Sequence, residues 1–271
     1  MENSLSHLLI FGLGYTASRI AERLSADGWR VDSTGSAGNL DFDDMESVNL
    51  ALGEATHIVS SVPPENETGL DPVLEHYGRA ISTAPARWIG YLSSTGVYGD
   101  ANGAWVDESA PIGTGRRESR SAADAEWQDL DECVRVFRLP GIYGPGRSVL
   151  DRLRAGNAQR IDAKDQVFSR IHVDDIVGAV ITSFDGPAGI YNITDDLPAP
   201  NHEVIAYGAQ LLGLPVPPLT PLDEAGLSRM AMGFYAENRR VANDKAKRLL
   251  GWQPQFANYK DGLVNILRGG G

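Results

Sequence analysis

Gly12-Leu13-Gly14-Tyr15-Thr16-Ala17 carries the spacing G-x-G-x-x-A. In a loop that cradles a pyrophosphate each small residue has its own task. Gly12 permits a tight turn, Gly14 lets the backbone approach the phosphates, and Ala17 lets the next helix pack closely on its strand. The helix start then offers free N–H groups and a positive dipole end to anionic oxygens. Alone the motif is weak. Here it follows the apolar run Leu8–Phe11 and opens a stretch with Ile20, Ala21 and Leu24 at helical spacing, the context that the chemistry requires. A bound dinucleotide is the expectation, with Tyr15 and Thr16 against it.

The second strand decides which dinucleotide. An acid at its end would accept hydrogen bonds from a ribose 2′-hydroxyl and select NAD. That end reads Ser33-Thr34-Gly35-Ser36, without acid or arginine, and Asp32 comes early in the strand. The missing acid tilts the reading to NADP, with Ser36 and Thr34 near the 2′-phosphate, and NAD stays open. Asp41-Phe42-Asp43-Asp44 reads as a loop beside the adenine, through Asp41 and Phe42, or as helix-capping carboxylates, rather than as a metal site. His172, Asp174 and Asp175 invite comparison with a charge relay, but Asp174 or Asp175 more simply caps a helix over 176–184. Cys133, the one cysteine, reads as an inert core thiol.

These groups need a scaffold. Apolar runs at 8–11, 29–33, 57–62, 88–92 and 134–139 alternate with helical stretches at 18–26, 73–84 and 122–131, and Gly28 stands where a helix C-terminal glycine belongs. Such alternation predicts an α/β fold, a doubly wound parallel sheet of Rossmann type. The polar stretch 100–121 reads as loop. Beyond residue 145 prolines cluster, and helices are expected at 202–212, 222–232 and 244–250, the last capped by Asn243 and stopped by Gly251.

A chain of 271 residues with a formal net charge of −12 repels phosphate backbones, so nucleic acid is not an expected partner. No apolar run reaches the roughly 20 residues that cross a bilayer. The start has no basic leader region, and the last three glycines read as frayed. A cytoplasmic protein, monomer or homodimer, acting on a small molecule is the simplest class.

Further motifs follow in order. They are Tyr91-Leu92-Ser93-Ser94-Thr95-Gly96-Val97-Tyr98-Gly99, Arg138-Leu139-Pro140-Gly141-Ile142-Tyr143-Gly144-Pro145-Gly146-Arg147, Arg170-Ile171-His172-Val173-Asp174-Asp175, Gly189-Ile190-Tyr191-Asn192 and Leu250-Gly251-Trp252-Gln253-Pro254. Together they resemble the extended short-chain dehydrogenases/reductases, the NAD-dependent epimerase/dehydratase-like family of sugar-nucleotide enzymes. The resemblance implies a Rossmann core over 1–146, rejoined at about 170–194, and a smaller substrate lobe over 147–271. It implies cofactor contacts at the strand ends Ser61-Val62-Pro63, Ser93 and Pro140-Gly141-Ile142, and substrate contacts at Thr95, Tyr143, Arg147 and Arg120. Ser94 matches the family's catalytic serine, although a strand-end serine bonding backbone is also open.

The family's proton-transfer pair, Tyr-x-x-x-Lys on one helix, is missing. A glutamate normally follows the lysine by four residues. Taking Glu126 for it puts Glu118 at the tyrosine position and Ala122 at the lysine position. This resembles the family's atypical branch. Tyr98 or Tyr143 replaces the lost proton donor, although each more simply packs its ring against the loop; Arg120 holds a ribose or phosphate oxygen or is an exposed charge at the helix entry; or the protein binds cofactor without turnover. An NADP-dependent oxidoreductase or epimerase-like enzyme and a noncatalytic NADP(H) sensor or scaffold therefore both follow from the sequence.

Overall fold

The computed structural model describes residues 6–115 and 118–269. Outside the described residues lie the N-terminal start, Arg116 and Arg117, and the last two glycines. The first half runs β1 (His7–Phe11), α1 (Tyr15–Ala26), β2 (Arg30–Ser33), α2 (Met45–Glu54), β3 (His57–Ser60), α3 (Pro72–Ser82), β4 (Trp88–Ser94), a 3₁₀ turn (Thr95–Tyr98), β5 (Trp105–Val106), α4 (Glu118–Leu130) and β6 (Val134–Leu139). The second half runs β7 (Gly141–Tyr143), α5 (Val149–Arg154), β8 (Arg160–Asp162), β9 (Arg170–His172), α6 (Val173–Thr182), β10 (Gly189–Asn192), α7 (Asn201–Leu211), β11 (Leu219–Pro221), α8 (Arg229–Tyr235), β12 (Arg240–Val241), α9 (Asp244–Leu250) and α10 (Tyr259–Leu267).

Six parallel strands form the central sheet in the order β10-β6-β4-β3-β1-β2. β1 and β6 are buried along their whole length, as continuous apolar strands covered on both faces must be. One face packs Ile20 and Leu24 of α1 and Ile176 and Val180 of α6 against Leu8, Ile10 and Phe137. The other packs Val48, Tyr77 and Trp127, from α2, α3 and α4, against Leu9, Phe11 and Val136. A further apolar cluster joins α5, α7 and α10 around Leu150, Ile205 and Leu263. The fold is α/β Rossmann, as the alternating pattern predicted. The chain leaves β1 toward β2 and returns toward β3, so the carboxyl ends of β1 and β3 flank the switch point where such sheets bind ligands.

Several elements differ from the sequence reading. α4 begins by Glu118, because its first turn carries Ser119 and Arg120 in place of an apolar signal. Trp105–Val106 pairs with Arg240–Val241 inside the expected loop, a contact too long-range to read locally. The helix expected at 222–232 forms at Arg229–Tyr235, started by Ser228 Oγ accepting from Ala231 N–H. α6 begins at Val173, and its cap is the His172 imidazole, whose Nδ1 accepts from Asp174 N–H at 3.2 Å. Neither aspartate caps it. Asp174 pairs with Arg19 of α1 at 3.1 Å, and Asp175 accepts from the backbone N–H groups of Gln255 and Phe256 at 2.5 and 3.2 Å. Burial pushes the Asp175 carboxyl up to about 6. Gly251 ends α9 in the left-handed region as expected, but Asn243 makes no cap bond; its amide donates to Thr194 O and Asp196.

Candidate functional site

The glycine loop leaves β1 at the switch point. Gly12 has φ +82°, and a Cβ there would meet Val62 Cγ2 at 2.7 Å, so the fold itself demands glycine. Its N–H donates to Thr34 Oγ1 at 3.2 Å, and its carbonyl accepts from Ser61 Oγ. Thr34 is therefore buried beneath the loop and not turned toward a 2′-phosphate. Gly35, at φ +106°, brings the β2 end to within contact of Leu13 N.

Gly14 is different. Its φ is −93°, open to any residue, and a Cβ there would meet nothing within 4 Å. No side chain caps the helix that it starts. The fold gives no reason for glycine here, whereas a ligand lying along the backbone does. This open cradle fits a pyrophosphate.

Gly14, Tyr15 and Thr16 line a cleft of ≈ 540 Å³ with Ser61, Pro63, Ser93 and Ser94, and with Pro140, Gly141, Ile142, Arg120 and Arg147 from later segments. The structure thus gathers most of the residues expected at cofactor and substrate on one surface. Ala17 is buried behind the loop, and Val62 packs on Gly12. Besides Gly12, Ala17 and Val62, three residues expected at the cofactor do not line this cleft. Ser36 stands exposed beyond β2. Phe42 packs its ring on Phe11 and Tyr77, and its carbonyl accepts from the Tyr77 hydroxyl. Asp41 accepts from Asp43 N–H at 3.1 Å in the turn before α2, which Asp44 caps.

Asp32 is consumed by the fold. Its carboxylate pairs with His7 at 2.9 Å and Arg30 at 2.8 Å and accepts from Asn39 at 2.7 Å. Against the opposing effect of burial, the Asn39 amide, the Arg30 guanidinium and the His7 imidazole hold it below its usual range.

A second cavity of ≈ 690 Å³ continues from the cleft, sharing Ser94, Pro140, Gly141, Ile142 and Arg147 and adding Thr95 and Tyr143. Ser94 Oγ accepts from Gly96 N–H at 3.1 Å, the strand-end bond that the sequence left open, while the residue lines both spaces. Tyr143 lines the cavity, but its hydroxyl is buried without a partner against Gly262, and burial pushes it well above the ordinary phenol range. Tyr98 is corrected outright. It lines neither space; its hydroxyl donates to Asn192 at 2.7 Å and accepts from Arg138 at 3.0 Å, and burial raises it. A phenol bound into the core at both ends has no free proton to give. Cys133 is half-buried and pushed up to about 12 by burial, in keeping with an inert thiol.

No family model matches the chain. The solved structure of a functionally unknown conserved protein from Silicibacter pomeroyi is 41% identical, with a TM-score of 0.87 over 97% of this chain and 99% of that one. The human epimerase family protein SDR39U1, solved with NADPH, is 18% identical with a TM-score of 0.77 over 97% and 99% of the two chains, a likeness of fold. A 3-diazoavenalumate denitrifying reductase from a Streptomyces species is 34% identical over 178 residues, 58% of each chain, so the match spans little more than half of that relative. The chain thus shares its fold over nearly its whole length with the Silicibacter pomeroyi protein and with the human epimerase family protein.

The register of α4 differs from the one that Glu126 suggested. Glu126 is exposed. The buried acid is Asp124, which receives Arg138 Nε at 3.1 Å and Nη2 at 2.7 Å, Ser93 Oγ at 2.5 Å and Gln128 at 2.7 Å. Asp124, and not Glu126, is therefore the acid that ties α4 to the sheet. Arg120 lies one helical turn before it. Arg120 lines the cleft accordingly, while Ala122 is exposed. The signal that finds this is Arg138, a buried cation that needs an acid on the facing helix. Phe234 and Glu237 also line both spaces and were missed, because nothing local ties residues so far along the chain to the strand ends.

Proposed function

We propose that this protein is an NADP-dependent oxidoreductase that works on a small molecule held in the ≈ 690 Å³ cavity beside the nicotinamide. The observation that carries the reading is Gly14, a glycine that the fold does not need, at an uncapped helix start on the switch point. Gly14, Tyr15 and Thr16 would hold the pyrophosphate, Ser36 the 2′-phosphate, and Ser93 with Pro140, Gly141 and Ile142 the nicotinamide side. When bound, the nicotinamide supplies or accepts a hydride. Asp32 supports NADP over NAD, since the acid nearest the β2 end is already spent on His7, Arg30 and Asn39. The NADPH in the human structure and the reductase name of the Streptomyces relative support the same choice.

The chain's own residues set the remaining chemistry. Arg120 is a permanently charged group and cannot pass a proton as a lysine–tyrosine pair does. It can hold an oxyanion. That same observation favours a second reading, a sensor that binds NADP(H) without turnover. Calorimetric titration with NADPH and NADH, followed by a carbonyl and sugar-nucleotide screen for NADPH consumption, tests both. Tighter binding of NADPH with turnover is expected. Preference for NADH overturns the NADP assignment, binding without any turnover favours the sensor, and no binding of either sinks both readings.

A further inference from the structure

The cavity beyond the cofactor cleft has an apolar body, lined by Ile161, Val167, Phe168, Val204, Leu227 and Leu263. Most charged side chains on its wall are committed to the fold, as are its serine hydroxyls. Ser169 Oγ accepts from Val241 N–H at 3.1 Å. Ser148 and Asp151 close a capping box at the head of α5. Arg170 donates to the carbonyls of Phe168 and Ala199, each at 2.8 Å, and Arg239 donates to Gly99 O at 2.6 Å and Glu237 at 3.0 Å.

Arg147 and Arg152 are the charged exceptions. Both are exposed on the cavity wall, and among the described residues no carboxylate lies within 4 Å of either. Arg147 rests over the Tyr15 ring at 5.5 Å, which fixes its guanidinium at the junction of cavity and cleft. On a chain of net charge −12 these two cations make a local positive mouth that draws an anion past an acidic surface. Asn157 and Gln159, exposed on the same rim, add neutral hydrogen-bonding groups.

Buried sugar hydroxyls and a nucleobase edge need many partners, and the body of this cavity is largely apolar. An apolar body with one oxyanion asks for what this cavity has: apolar lining inside and guanidinium forks, which match carboxylate and phosphate geometry, at the mouth. We propose that the substrate is a compact apolar oxyanion, body inward and headgroup on Arg147 and Arg152, and not a sugar nucleotide. This rests on the oxidoreductase reading above and names the substrate class of the same site.

The test is calorimetric binding of four probes, cinnamate, phenyl phosphate, the uncharged cinnamamide and UDP-glucose, to the NADP⁺-saturated protein and to the cofactor-free protein. At least one oxyanion probe binds about tenfold or more tighter than cinnamamide, and the two oxyanions separate carboxylate from phosphate. Arg152→Ala loses that preference, leaves cinnamamide binding unchanged and leaves NADP⁺ affinity unchanged, which shows an intact fold and cofactor site. Arg152→Lys, a point charge without the fork, keeps part of the preference. Equal affinity for cinnamate, phenyl phosphate and cinnamamide overturns the proposal, as does UDP-glucose binding tightest. Failure to bind NADP⁺ sinks the proposed function instead, while the cofactor-free titrations still read the preference for an oxyanion.

Discussion

On the face of the sheet covered by α1 and α6, the buried polar side chain of β3 is His57, set among Trp29, Trp88 and Phe184 with its Nε2 unpartnered. On the face covered by α4, the corresponding burial is an ion pair, Asp124 with Arg138, in which every carboxylate oxygen is bonded. The first site keeps its group by stripping its charge. The second keeps two charges by satisfying them. The difference bears on function, because the satisfied pair fixes the register of α4 and so sets Arg120 on the cleft, while the first face carries the glycine loop and leaves its helix start free for a ligand.

The sharpest way to break this contrast is at the pair. Asp124→Ala leaves Arg138 charged, buried and uncompensated, at a cost of about 3–5 kcal/mol in unfolding free energy by urea titration. Glu126→Ala, on the exposed side of the same helix, stays within about 0.5 kcal/mol. Equal effects from the two would mean that the Asp124–Arg138 pair does not hold α4 in place.

On the other face the prediction is a pH slope. Burial among the aromatic rings lowers His57 to about 4, against 6.5 when exposed. Below pH 6.5 the unfolded chain takes up a proton that the native imidazole refuses. Stability therefore falls as pH drops from about 6.5 to about 4, by roughly 3 kcal/mol from this group, and is fully present above that window. His57→Phe removes this part of the slope. If the pH dependence of wild type and variant coincide between pH 4 and 6.5, the imidazole is not stripped of charge.

The two faces also differ in how far they could be read from sequence. The glycine loop was legible because its residues are contiguous and its geometry is imposed by an adjacent apolar strand, so spacing alone places Gly12 and Gly14. The register of α4 was not. Its first turn is polar, Glu126 and Asp124 are two residues apart, and only the tertiary demand of Arg138 chooses between them. Tyr98 misled for the same reason: a strand-end tyrosine looks free until Arg138 and Asn192 are brought to its hydroxyl. His172 misled through chemistry, since an imidazole nitrogen capped α6 where carboxylates were at hand.

Within the legible loop, Gly12 and Gly14 give opposite signatures. Gly14→Val leaves unfolding free energy nearly unchanged, because its Cβ enters open space, but lowers NADPH affinity at least about 100-fold, or about 2.7 kcal/mol. Gly12→Ala loses stability by roughly 1–2 kcal/mol from its positive φ alone, with the contact to Val62 adding to that. Normal NADPH binding by Gly14→Val places the cofactor elsewhere.

The smallest effect belongs to Ser94, which stands where the two spaces meet. Its hydroxyl receives Gly96 N–H and so caps the 3₁₀ turn that carries Thr95 to the cavity. Ser94→Ala frees that N–H and costs about 1 kcal/mol in stability, the usual worth of a lost cap. Cofactor affinity stays near wild type, because the pyrophosphate cradle lies across the cleft at Gly14. If the hydroxyl also touches the reacting group, turnover falls far more than 1 kcal/mol of destabilisation explains, and Ser94→Thr, which keeps both the cap and the hydroxyl, restores it. A Ser94→Ala variant with a lowered midpoint but unchanged turnover makes Ser94 a structural serine, and the chemistry then rests on Arg120 and the cofactor alone.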